Sequence, residues 1–176
     1  MKSTGKRFEE NFKKSIPKEV LYYRFKDSTN NWGKNSNKIR FTSSNIADCM
    51  VYDGKLLFIL ELKSTKGKSL PISNVREHQI ADLVWASAYK NVLSGFVIEF
   101  SDVNEVYFID IKSFIIFFTK NKRKSLPIDY CAEKGTKIGV KKLRTNSRYD
   151  IEGFLNTSMI KYFYEEIKSV HCLWEI

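Results

Sequence analysis

The chain is short of cysteine, of long apolar runs and of acidic charge. Its 3 cysteines, Cys49, Cys131 and Cys172, are odd in number, far apart and without any Cys-x-x-Cys spacing. That argues against both a disulfide framework and a thiolate zinc site, and it suits a reducing cytoplasm. The strongest apolar run, Phe114-Ile115-Ile116-Phe117-Phe118, is only 5 residues long, far below the roughly 20 that cross a bilayer as a helix. The basic opening Met1-Lys2-Ser3-Thr4-Gly5-Lys6-Arg7 is not followed by the apolar core of a signal peptide, so no membrane association is expected. Neither an internal repeat nor a low-complexity segment is visible. The shortfall of acid is the most directive: 20 Asp and Glu stand against 30 Lys and Arg, a formal net charge of +10. Such a balance favours a polyanionic partner, with nucleic acid the economical choice.

What the chain does have is a carboxylate placed 13 residues before a Glu-x-Lys: Asp48, then Glu61-Leu62-Lys63 closing the apolar run Leu56-Leu57-Phe58-Ile59-Leu60. Residues i and i+2 of a strand share a face, so Glu61 and Lys63 project together while Leu60 and Leu62 turn away. Ala47 to Val51 reads as a strand, Tyr52-Asp53-Gly54-Lys55 carries the Asp-Gly signal of a tight hairpin, and Leu56 onward reads as the returning strand. Pairing across that turn brings Asp48 opposite the stretch near Glu61. Two carboxylates at one point make an oxygen-rich site for a hard cation such as Mg2+. Lys63 adds a point charge beside a phosphate or helps to position and deprotonate an attacking water. A plain solvated strand face is the competing reading. Against it, the apolar run before Glu61 implies a strand covered on both sides, where an uncompensated carboxylate is costly.

Along the rest of the chain, 176 residues of which 43% are hydrophobic suit one domain spanning 1–176, burying about two-thirds of its unfolded surface. Gly5 to Ser15 reads as an amphipathic helix with Phe8 and Phe12 one turn apart, ended by Pro17. Val20 to Phe25 has strand composition, residues 26–38 form an Asn-, Ser- and Lys-rich loop around Trp32, and Ile39 to Thr42 resumes a strand. After the basic loop 64–69 comes a helix capped by Ser73 or Asn74. On it Val75, Gln79, Leu83 and Ala86 share one face, which Ile80, Val84 and Ala88 broaden. Gln79, near the start of that helix, is either a neutral capping or surface glutamine or an amide that orients water or phosphate. Strands Gly95–Phe100 and Val106–Asp110 follow, then a helix from Ile111 to about Thr119. The run Lys120-Asn121-Lys122-Arg123-Lys124 either complements that helix's C-terminal dipole or binds phosphates. Lys137, Lys141, Lys142, Arg144 and Arg148 crowd the stretch 134–148 with no role that the pattern assigns. A last helix near 157–168 is expected to bury Met159, Ile160, Phe163 and Ile167.

Taken together, Gly5-Lys6-Arg7-Phe8-Glu9-Glu10, the Asp48 to Glu61-Leu62-Lys63 spacing, the His78-Gln79 pair, Glu105 to Asp110 and Lys124-Ser125-Leu126-Pro127-Ile128 resemble the RecU-type Holliday junction resolvases of Gram-positive bacteria and their phages. The resemblance covers most of residues 3–140. It implies an α/β, restriction-endonuclease-like PD-(D/E)xK core with a central mixed sheet flanked by helices. It also implies a homodimer that needs Mg2+, or Mn2+ in its place, to nick two strands of a four-way DNA junction. Carried over by residue, it makes Asp48 and Glu61 the metal ligands and Lys63 the catalytic lysine. It places Glu9 near the metal, with Glu10 second to it, and matches Gln79 to the glutamine heading the next helix. Two departures stand out: Ala47-Asp48 replaces the usual Pro-Asp, with Ile46-Ala47 where many relatives have Thr-Thr, and the segment from Phe25 to Phe41 is shorter than the family's protruding stalk.

The expected function is therefore a metal-dependent endonuclease of branched DNA, during recombination and repair, with Asp48, Glu61, Lys63, Glu9 and Gln79 at its centre. Expected DNA contacts are Lys6, Arg7, Lys66, Lys68, Lys122 and Arg123, together with Trp32, Lys34 and Lys38 in the shortened stalk at about 26–40. Whether that segment inserts into a junction or is a non-inserting loop stays open. So do two alternative functions: a related nuclease cutting duplexes or flaps, and a non-catalytic junction-binding protein.

Overall fold

The computed structural model describes residues 4–25 and 45–171, with side chains as far as 168; Trp32, Lys34, Lys38 and the strand expected at Ile39 to Thr42 lie outside them. Helix α1, Thr4–Lys13, is followed by β1, Leu21–Arg24; β2, Cys49–Tyr52; β3, Leu57–Thr65; and β4, Ser69–Pro71. Then come α2, Glu77–Ser87; β5, Val92–Phe100; β6, Glu105–Asp110; α3, Ile111–Lys120; β7, Ser125–Pro127; and α4, Ile128–Lys134. The short strands β8, Thr136–Ile138, β9, Val140–Lys142, and β10, Ser147–Tyr149, lead to α5, Ile151–His171.

Six strands form one sheet in the order β1-β2-β3-β5-β6-β8. It is mixed: β3 and β5 run parallel, and every other neighbouring pair is antiparallel. The parallel pair needs a crossover, which α2 supplies. Two ribbons, β4 with β7 and β9 with β10, sit apart from the sheet.

β3 is buried on both faces, as its apolar run implies. Ile59 belongs to a core built with Leu83, Phe96, Ile98, Phe114 and Cys131 under α2, α3 and α4. Phe58, Leu60 and Leu62 join the opposite core with Phe8, Phe12, Phe108 and Phe154 under α1 and α5. Each such side chain contributes about 1.5–3 kcal/mol on full burial. The hairpin before β3 is set by Asp53, whose Oδ1 accepts the N–H of Lys55 and of Leu56, each at 2.8 Å. Gly54 takes the turn's left-handed conformation at φ 93°, which glycine adopts without steric cost.

Several sequence expectations need correction. The cap of α2 is Arg76, not Ser73 or Asn74, because Ile72–Asn74 forms a separate 3-10 turn. Val84 and Ala88 do not widen the fully buried stripe of α2, which Leu83 and Ala86 carry; Val84 is exposed. Helix α5 begins at Ile151 rather than near 157, where Asp150 Oδ1 accepts the Gly153 N–H at 2.9 Å. Its inner face is Ile151, Phe154, Leu155 and Ser158. Ile160, Phe163 and Ile167, expected to be buried, are exposed at 67%, 39% and 59%, with Tyr164 beside them at 64%. Cys49 and Cys131 are buried free thiols, and burial pushes both well above the ordinary thiol range.

Candidate active site

The predicted site assembles where β2 begins, beside the middle of β3. In the β2–β3 ladder Cys49 lies opposite Leu60, so one further step places Asp48 beside Glu61. Asp48 Oδ2 accepts the backbone N–H of Leu62 at 2.8 Å, which fixes the carboxylate at the strand edge. Glu61 and Lys63 share the sheet face covered by α2. Glu61 is 4% exposed, and its Oε1 lies 3.0 Å from Lys63 Nζ.

Gln79 is the residue that knits these groups together. Its Nε2 donates to Glu61 Oε1, while its Oε1 accepts from Lys63 Nζ at 3.0 Å and from the Arg76 backbone N–H at 3.1 Å. One side chain therefore satisfies an orphan N–H at the start of α2 and orients both charged groups of β3. Of the two sequence readings of Gln79, a neutral capping or surface glutamine and an amide that orients water or phosphate, its bond to the Arg76 N–H meets the capping one, while its bonds to Glu61 and Lys63 follow from neither.

Burial is the main force on Glu61 and pushes its carboxyl up from 4.5 to about 7. The charge of Asp48 pushes the same way, Lys63 opposes it, and Glu9 adds a smaller upward push. Glu9 itself sits on α1, which packs on the other face of the sheet. Glu9 is paired with Arg24 of β1, a partner that no local pattern announces because 15 residues separate the two.

Among the described residues no group of three or more His, Cys, Asp and Glu converges as a metal cage. Two adjacent carboxylates nonetheless fit a hard divalent ion of the Mg2+ kind, which keeps several of its waters and takes one or two protein carboxylates. The upward push that Asp48 exerts on Glu61 is what such a cation would relieve. Asp48 and Glu61 are the side chains that would hold it.

Of the basic residues singled out, Lys6 and Arg7 lie on the first turns of α1, both exposed. Lys66 and Lys68 are exposed on the loop that follows β3. Lys122 and Arg123 are exposed in the loop before β7. The β4–β7 ribbon folds this last loop back, with Ile72 N–H donating to Lys124 O at 2.9 Å. The 120–124 run is thus brought toward the start of α2. It also contributes Lys120 to the last turn of α3, so its two readings are both compatible with its position.

Comparison with known proteins identifies the family and the fold. The family model for RecU, "Recombination protein U", matches residues 2–148. The SPbeta prophage-derived uncharacterized protein YotM of Bacillus subtilis is 35% identical over 161 residues, covering 82% of this chain and 81% of that protein. The Holliday junction resolvase RecU of Streptococcus pyogenes serotype M1 is 32% identical over 92 residues, which is 51% of this chain and 45% of the resolvase. That match thus spans less than half the resolvase's own length. Among solved structures, Archaeoglobus fulgidus Hjc, a Holliday junction resolvase from an archaeal hyperthermophile, superposes with a TM-score of 0.50 at 13% identity, covering 76% of this chain and 95% of that one. The shared fold is restriction-endonuclease-like, a central mixed sheet flanked by helices. The sequence match over most of the chain shows that the protein belongs to the RecU family.

Proposed function

We propose that the protein is a metal-dependent DNA endonuclease that resolves four-way junctions by paired, symmetrical nicks during recombination and repair. The observation that carries this reading is the convergence of Asp48, Glu61, Lys63 and Gln79 where β2 begins beside β3, with Glu61 buried at a cost to its charged form. A merely solvated strand face has no reason to bury a carboxylate beside another. Asp48 and Glu61 hold the ion, Mg2+ or Mn2+, and Glu9 borders the site. When bound, that ion supplies Lewis-acid stabilisation of a phosphoryl oxygen and a more acidic water.

The chain's own groups do the positioning. Lys63 Nζ spends two of its three donor directions on Glu61 and Gln79, leaving one for a phosphate oxygen or the attacking water. Gln79 keeps that ammonium from swinging away. Lys6, Arg7, Lys66, Lys68, Lys122 and Arg123 contact DNA phosphates, with Trp32, Lys34 and Lys38 contributing from the shortened stalk.

The reading extends to one nuclease domain spanning 1–176 and to a homodimer, because two symmetrical cuts need two sites related by a two-fold axis. The exposed apolar residues of α5 are of the kind such a pairing covers. No helix among the described residues is long and apolar enough to cross a membrane, and a DNA substrate places the reaction in the cytoplasm.

The test is cleavage of a labelled four-way junction against matched linear duplex, with Mg2+, with EDTA, and with Glu61→Gln. Paired, metal-dependent nicks at the junction that vanish in the variant are expected. Equal cutting of linear duplex would instead identify a broader nuclease, and binding without cutting in any divalent metal would leave a non-catalytic junction binder.

A further inference from the structure

The β9–β10 hairpin is a cationic surface that the site described above does not use. From Thr136 to Tyr149 the chain carries Lys137, Lys141, Lys142, Arg144 and Arg148 and no acidic residue. Lys137 is engaged by Glu105 at 3.3 Å and lies over the Tyr107 ring. Arg148 is half-buried and donates to Ser147 O. Lys141, Lys142 and Arg144 are exposed and form no ion pair among the described residues. The strands pair Lys142 with Ser147 and Val140 with Tyr149, and Leu143 N–H donates to Asn146 O at 2.8 Å to close the turn between them.

Topology puts this ribbon at the end of the sheet where β3 finishes, beyond Lys63. β8 pairs with β6 so that Ile138 lies opposite Val106, and β6 pairs with β5 so that Glu105 lies opposite Phe100. Phe100 in turn lies opposite Thr65, two residues beyond Lys63. The hairpin leaves the sheet directly after Ile138, its root closed by Asp150 N–H to Gly139 O at 2.8 Å.

The root is also tied to the strand that bears Glu61 and Lys63. Tyr149 Oη donates to Glu99 Oε1 at 3.0 Å, and Glu99 Oε2 accepts from Ser64 Oγ at 2.7 Å; Ser64 follows Lys63 and projects from the opposite face of β3. Tyr149 is 5% exposed, packs edge-on against Phe8, and its backbone N–H donates to Ser15 Oγ at 3.0 Å. One rigid connection therefore joins the hairpin to β3 and to α1, which carries Glu9 and Arg7. From that root, four residues of extended chain reach roughly 13 Å past the sheet end.

We propose that the β9–β10 hairpin is a phosphate clamp, in which Lys141, Lys142 and Arg144 bind the DNA backbone flanking the cleaved bond. The inference rests on the nucleic-acid reading above and adds to it a surface and a role. Charge complementarity selects the occupant: three cations outside any ion pair among the described residues, on a two-stranded ribbon, meet a polyanion with regularly spaced charge. Anchoring through Tyr149, Glu99 and Ser64 fixes the hairpin root to β3 from the sheet face opposite Glu61 and Lys63.

The experiment measures junction binding by fluorescence anisotropy from 50 to 200 mM salt. It compares wild type, a Lys141→Gln/Lys142→Gln/Arg144→Gln variant, and a control with equal charge loss, Lys55→Gln/Lys90→Gln/Lys112→Gln. The control residues are exposed at the opposite end of the sheet. Losing three phosphate contacts lowers the slope of log K on log salt by about 2.7. Wild-type affinity should accordingly fall about 40-fold more than the hairpin variant's across that range, while the control keeps the wild-type slope. A hairpin variant with the wild-type slope and affinity would overturn the clamp, and so would equal losses in both variants, which would reduce the effect to net charge. The nucleic-acid reading fails separately, in wild-type protein that neither binds nor cuts DNA; wild type that binds without cutting leaves the clamp testable by the same slopes.

Discussion

Replacing Glu61 by Gln should make the metal-free protein more stable at neutral to alkaline pH while abolishing cleavage. Burial and the neighbouring Asp48 raise the Glu61 carboxyl from 4.5 to about 7. An acid whose pKa is higher in the folded state favours folding fully below its unfolded pKa, and that contribution is lost as pH rises through the folded one. The window is therefore about pH 4.5 to 7. A displacement of this size, at about 1.36 kcal/mol per unit, corresponds to roughly 3 kcal/mol at pH 8. An amide in place of the Glu61 carboxyl would be neutral throughout and nearly the same shape, so the variant escapes that loss. Urea unfolding in EDTA should give matching free energies for the two proteins near pH 4.5 and a gap opening toward pH 8 in the variant's favour. Mg2+ at about ten times its dissociation constant should then return about 1.4 kcal/mol to the wild type alone. A variant no more stable than wild type at pH 8, or equally stabilised by Mg2+, would refute the picture of a carboxylate kept charged at a cost to receive a cation.

Three other perturbations probe the same architecture. Lys63→Met should slow single-turnover junction cleavage by about 100-fold or more with little change in junction affinity, read by gel-shift titration; a matching loss of affinity would make Lys63 a binding residue only. Gln79→Ala removes a cap worth about 1 kcal/mol and frees Lys63, so both the urea midpoint and the cleavage rate should fall; an unchanged midpoint and rate would mean that Gln79 neither caps α2 nor holds Lys63. Tyr149→Phe leaves Glu99 Oε1 without its hydroxyl donor and should cost about 1–2 kcal/mol, measured by thermal unfolding, and an unchanged midpoint would mean the Tyr149–Glu99–Ser64 connection is not holding the hairpin root.

The central hairpin and the chemistry of β3 were legible because they follow from local rules. Asp53-Gly54 fixes the turn, the turn fixes the register, and the register sets Asp48 beside Glu61. Gln79 was placed on its helix face by spacing alone, but its bonds to Glu61 and Lys63 depend on how α2 crosses the sheet, which no local pattern encodes. The ribbons β4, β7, β9 and β10 are 3 residues each, too short for a period to register. The start of α5 was hidden by Gly153, although Asp150 three residues earlier carried the capping signal. Its apolar residues Ile160, Phe163 and Ile167 looked like core because periodicity reports which residues share a face, not whether anything covers it. The pairing of Glu9 with Arg24 joins a helix to an edge strand and arises only once both are packed.

The placement of Gln79 has a consequence for how this protein fails. Because one amide both starts α2 and aligns the two charged groups of β3, loosening of the helix's first turn and loss of the assembled centre are a single event. Fraying there, which in another protein would be a harmless fluctuation, would here switch individual molecules off for as long as it lasts. Hydrogen exchange at the Arg76 amide, whose proton is held by Gln79, would thus count the fraction of molecules competent at any instant, without any substrate present.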